Sequence, residues 1–97
     1  MEARIEAASM TRYFFHIRRN GEVVRDGEGD EFATMDDARS SAIKAVRELV
    51  AARIKNGEVV PDEHLDVRDE ADALKFSISF HQVVRDHLKL RRLRNRR

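Results

Sequence analysis

The sequence predicts an α+β fold of order ββαββ: a four-stranded, mainly antiparallel sheet with one helix packed on one face. Three observations carry this reading. A helical periodicity runs from Met35 to Lys55. An Asn20-Gly21 pair separates two short extended runs. A clean two-residue alternation runs from Leu74 to His81. Residues 1–11 form a leader, 12–82 the domain, and 83–97 a basic C-terminal tail that is partly helical or disordered.

The first strand is Arg12 to Arg19. Tyr13, Phe15 and Ile17 point one way, toward the helix; Phe14, His16 and Arg18 point the other. Asn20-Gly21 suits a two-residue type I′ turn, which sets Arg19 opposite Glu22, Arg18 opposite Val23 and Ile17 opposite Val24. Val23 and Arg25 thereby join Phe14 on the open face. Asp26 to Glu31 reads as an acidic, glycine-punctuated loop, and Phe32 tucks under the helix entry.

The helix opens at Thr34, an N-cap, with Asp36 and Asp37 at the positive end of its dipole. It closes at Asn56-Gly57, and Pro61 bars it from resuming. Ala38, Ala42, Ala45, Leu49 and Ala52 form one apolar row; Ile43, Val46, Val50 and Ile54 form a second. Together they exceed the ~100° stripe that one sheet face needs. Either the helix sinks deep or its flank meets a partner chain. The crossover permits the next strand, His64 to Asp69, to lie parallel beside the first. In the last strand Leu74, Phe76, Ile78 and Phe80 face the core, while Lys75, Ser77, Ser79 and His81 face away.

A chain of 97 residues makes one domain with a thin core, for which self-association is a natural remedy. It has no cysteine, which excludes disulfides and thiolate metal sites. No apolar run approaches the ~20 residues of a membrane span, and no signal-peptide core is present, so a cytoplasmic setting is expected. Seven basic residues and one acidic residue between Arg85 and Arg97 give +6, which leaves −5 on residues 1–84 of a chain whose net charge is +1.

The candidate sites are few. His16 and His81 share the open face if the first and last strands are neighbours, but two imidazoles lack a third metal ligand; half-exposed sheet histidines are the plainer reading. Asp26, Glu28 and Asp30 are spaced like the first ligands of a calcium loop, yet Glu31 stands where its glycine belongs. A solvated turn fits better. Ser77 and Ser79 lack a base in reach, so no acid–base–nucleophile set can be assembled. No catalysis and no cofactor is expected. Phe14 and Val23, among His16, Arg18, Arg25, Ser77 and His81, form a candidate interface for a homodimer or another protein, against the alternative of one tolerated exposed aromatic. Arg85, Lys89, Arg91, Arg92, Arg94, Arg96 and Arg97 are candidate nucleic-acid contacts, with no interleaved aromatic to stack on bases.

The run Arg12-Tyr13-Phe14-Phe15-His16, followed by Asp26-Gly27-Glu28-Gly29, a capped helix and a strand pair, resembles a family of small bacterial proteins of unknown function whose chains open with Arg-Tyr-Phe-Phe-His. The likeness covers about residues 10–81 and implies a ββαββ domain with no assigned reaction. Thr34-Met35-Asp36-Asp37-Ala38 ahead of an Ala-rich helix is more weakly similar to HicB-like antitoxins. Those neutralise an RNA-cutting toxin and often carry a DNA-binding segment. The expected function is therefore a small non-catalytic protein-interaction module of unknown process, expected to be a homodimer. The alternative is a nucleic-acid-binding accessory or antitoxin-like regulator acting through the tail.

Overall fold

The computed structural model describes residues 10–95, and their side chains as far as Leu88. Of the leader expected over residues 1–11, residues 1–9 lie outside the described residues, and Thr11 already belongs to the first strand. The fold is α+β with a mainly antiparallel sheet, but it has five strands and two helices where four and one were expected. The strands are β1 (Thr11–Arg19), β2 (Glu22–Val24), β3 (Asp30–Phe32), β4 (His64–Asp69) and β5 (Leu74–Ser79). The helices are α1 (Met35–Lys55) and α2 (Phe80–Asn95).

The hairpin has the expected register: Ile17, Arg18 and Arg19 oppose Val24, Val23 and Glu22. Asn20 and Gly21 both take positive φ, 52° and 80°, as a type I′ turn requires. The unforeseen strand is β3, which pairs with the beginning of β1 through Thr11–Phe32, Arg12–Glu31 and Tyr13–Asp30. Thus β2 and β3 share one edge of β1, and the acidic loop is a break within a single return run.

That return run decides the direction of β4. It travels opposite to β1, and at ~1.5 Å per residue the 21 residues of α1 carry the chain back along its length. The next strand must repeat the direction of the return run. β4 therefore lies antiparallel beside β1, with Phe15 opposite Val67 and Ile17 opposite Leu65, and not parallel to it. β5 completes the order β2-β1-β4-β5.

Thr34 Oγ1 accepts the Asp37 N–H at 3.0 Å, which caps α1. The buried residues of the helix are Ala38, Ala42, Val46 and Val50. Each four-residue step advances about 40° around the axis, so the contact line starts in the first apolar row and ends in the second. Leu49, assigned to the first row, is left 40% exposed. The small side chains bring α1 close to Leu65, Val67 and Ile78, which join Tyr13 and Phe80 in one core. Val83 and Val84 of α2 pack against the same core, so both helices lie on the inner face. No helix among the described residues is long and apolar enough to cross a membrane.

Two expectations for the last strand change. A register shift at Val67/Arg68 moves Leu74 opposite Arg68, in the outer row, and Leu74 is 52% exposed. The strand also ends at Ser79, whose Oγ accepts the Gln82 N–H at 3.1 Å. Phe80 thus opens α2 while remaining fully buried. Glu63 anchors this junction: its carbonyl accepts the Phe80 N–H at 2.9 Å, and its carboxylate meets Arg53 at 2.7 Å and Arg19 at 3.4 Å.

Candidate functional site

The outer face of the sheet gathers most of the candidate interface. β1 sends Phe14, His16 and Arg18 outward. Pairing sets Arg68, Asp66 and His64 opposite them on β4. Ser77 follows opposite Asp66 on β5, and Val23 opposite Arg18 on β2. These rows meet no helix among the described residues.

Asp66 is the hub. Arg18 grips it twice, Nε to Oδ2 at 2.8 Å and Nη2 to Oδ1 at 3.0 Å. Ser77 donates its hydroxyl to Oδ1 at 2.6 Å. The hydrogen bonds from Arg18 hold the Asp66 carboxyl below the usual carboxylate range; burial opposes them, and the Ser77 bond assists. A carboxylate so held is a weak base. The Ser77 proton points into it, so this contact orients Asp66 and does not activate the hydroxyl.

His16 is buried beside this hub, 3% exposed. Its Nδ1 accepts the Asp26 N–H at 2.9 Å, which places the ring proton on Nε2 in the neutral form. The ring stacks on Phe14 with centroids 6.4 Å apart. Burial pushes its pKa below 6.5 and the nearby Arg25 adds to that, while Asp26 and Asp72 oppose it.

The acidic loop turns out to be a plug for the β1 edge. Between the β2 and β3 pairings, Asp26 Oδ2 accepts the Phe15 N–H at 3.1 Å, and Oδ1 accepts Glu28 N–H and Gly29 N–H, each at 3.1 Å. Burial works against the charge on Asp26. The donors from Gly29, Phe15 and Glu28 outweigh it and leave the carboxyl below its ordinary value. Arg12 clasps the loop from outside, through the Glu28 carbonyl at 2.6 Å and the Glu31 carboxylate at 3.1 Å. The Asp26 and Glu31 carboxylates are thus drawn to separate partners. Among the described residues no group of three or more His, Asp or Glu could hold a metal ion.

Phe14, His16, Arg18, Val23 and Ser77 therefore share one face. Arg25 flanks it, 3.5 Å from Asp72. His81 does not join them: it lies in the first turn of α2 with Nε2 2.8 Å from the Val60 carbonyl oxygen. Asp66, Asp26, Arg68 and Asp72 were not foreseen there. The signal for Asp66 is the alternation of HLDVRD, which points it outward once Leu65 and Val67 point in. Of the tail candidates, Arg85 is exposed and donates to Gln82 Oε1 at 2.8 Å. Lys89, Arg91, Arg92 and Arg94 belong to α2 by backbone, and Arg96 and Arg97 lie outside the described residues.

Residues 12–81 match the model of a family described as Domain of unknown function (DUF6894). The match begins on the Arg12 of Arg-Tyr-Phe-Phe-His and ends at the first turn of α2. Comparison with curated proteins and with solved structures gives no match.

Proposed function

We propose that this chain, which belongs to the DUF6894 family, is a small non-catalytic protein-interaction module that works as a homodimer through its outer sheet face. One observation carries the reading. The face is locked by hydrogen bonds yet bears no covering layer among the described residues, and Val23 and Leu74 stand 45% and 52% exposed on it. Arg18, Arg25 and Arg68 lie there with Asp66 and Asp72, so both signs of charge are present. A two-fold contact needs such a self-complementary surface, and covering it adds burial to a thin core.

Sedimentation velocity over a wide concentration range tests this. The full chain is expected to dimerise, and a Val23→Glu, Leu74→Glu double variant to remain monomeric with an unchanged circular dichroism spectrum. A wild-type chain that stays monomeric at high concentration would remove the proposal. The alternative, a nucleic-acid-binding or antitoxin-like regulator, draws support from Arg85, Lys89 and Arg92, which recur at i, i+4 and i+7 along α2. It leaves unexplained a shallow apolar groove at the base of that helix, lined in part by Ile54, Val60 and Val84.

A further inference from the structure

Where α2 leaves the body it runs past a shallow groove of about 320 Å³, lined by Ile54, Val60, His81, Val84 and Arg85. Its walls are fixed. The His81–Val60 contact holds one side. On the other, the end of α1 is closed by the Asn56 and Glu58 N–H groups, which donate to the carbonyls of Ala52 and Arg53 at 3.1 and 2.8 Å. Apolar side chains in and next to the groove are wet: Ile54 is 60% exposed, Val59, the neighbour of Val60 in sequence, 85%, and Leu88, one turn beyond Val84, 58%. Val84 and Leu88 are one turn apart, so the apolar strip continues along α2. Beside that strip runs the row of positions 85, 89 and 92, within a segment carrying +6 from Arg85 to Arg97.

We propose that this groove and the adjoining basic side of α2 dock an acidic amphipathic helix belonging to another protein. The apolar strip and the basic row lie side by side, and the occupant must answer both. An amphipathic helix sets apolar residues into a groove at i, i+3, i+4 and i+7, and acidic residues on its flank meet the basic row. A nucleic acid matches the charge but leaves Ile54, Val59 and Leu88 in water. A second copy docked two-fold through this same groove brings two segments of +6 toward each other.

The groove lies on the inner side, so this docking stands or falls independently of the outer-face dimer.

Fluorescence anisotropy on the full chain tests the proposal with synthetic probes. One is a peptide with Leu at i, i+3, i+4 and i+7 and Glu on its flanks; another is the same composition scrambled. A Lys-for-Glu version and single-stranded RNA and DNA oligonucleotides complete the set. The acidic amphipathic peptide is expected to bind at least about tenfold tighter than the scrambled one. Leu88→Glu and Ile54→Glu, both outside the core, are each expected to weaken it about tenfold, the loss typical of an interface anchor. Thermal melts confirm that both variants fold. Equal affinity for the two acidic peptides overturns the proposal. So does RNA or DNA binding that exceeds peptide binding and ignores Leu88→Glu, which would assign α2 to nucleic acid. If Leu88→Glu turns a wild-type dimer into a monomer, the groove belongs to a second copy and the proposal is equally lost.

Discussion

A Cβ built on Gly29 would stand 2.8 Å from both Phe14 Cε2 and the Tyr13 carbonyl oxygen, and 2.9 Å from Phe14 Cδ2. Gly29 also has φ +69°, a region that costs an L-residue roughly 1–2 kcal/mol. The carbonyl belongs to the paired backbone of β1 and cannot yield. Gly29→Ala is therefore expected to destabilise the fold by about 2–4 kcal/mol, strain and overpacking together. Urea unfolding measures this, and a loss below the strain cost alone would show that the loop simply shifts away. At Asp66 the reasoning concerns partners instead of space. Asp66→Ala removes two charge-assisted bonds from Arg18 and the acceptor for Ser77. Arg18 is 41% exposed in its side chain and can take up water, so the cost should stay near 1.5–3 kcal/mol. A double-mutant cycle with Arg18→Ala reads the coupling directly.

At the scale of elements, α1 and α2 begin on similar chemistry, and only the first was legible. Thr34 followed by Asp36 and Asp37 announces a helix start, and Thr34→Ala should cost about 1 kcal/mol in unfolding measurements. Ser79 with Gln82 three residues on is the same signature. It is hidden because the alternation of LKFSIS continues into Phe80 and His81, and alternation reads as strand. The hairpin register was legible because Asn20-Gly21 admits few geometries. β3 was not, because Asp30, Glu31 and Phe32 carry one apolar residue and only pairing with β1 makes them a strand. The outer-face candidates Phe14, His16, Arg18 and Ser77 follow from alternation within single strands, and Val23 from the hairpin register. Asp66 as their hub needed the strand order, and His81 failed with the misread end of β5. Phe80 joins the two elements and is fully buried between them, with Arg53 above its ring at 5.9 Å. Phe80→Ala should cost about 3–5 kcal/mol. A loss of helical signal without a fall in global stability would show that α2 is docked less firmly than its burial implies.

For the molecule as a whole, the buried and hydrogen-bonded titratable groups make stability depend on pH in two stages with the same sign. His16 has its pKa lowered below 6.5, first by burial and then by Arg25. Well above pH 6.5 the ring is neutral in both folded and unfolded chains and contributes nothing to the pH dependence. Below it the unfolded chain takes up a proton that the folded chain resists, so stability falls as pH falls. Protonation of Nδ1 also removes the acceptor for the Asp26 N–H, and that bond helps hold the loop against β1. The second stage belongs to Asp26 and Asp66, whose carboxyls lie below their ordinary value of 3.8. Their stabilisation is complete well above pH 3.8 and is lost as pH drops through their folded values. Asp69 adds to this stage, held low by the N–H groups of Ala73 and Ala71. Urea unfolding from pH 8 down to pH 3 should thus show a plateau, a decline beginning near pH 6.5, and a steeper decline below about pH 4. His16→Gln retains an acceptor and does not titrate, so it should flatten the first decline and leave the second unchanged. The comparison is of slopes, since the substitution itself lowers stability at every pH. If the variant keeps the wild-type slope between pH 6.5 and 5, His16 is not the group that loosens the outer face in mild acid.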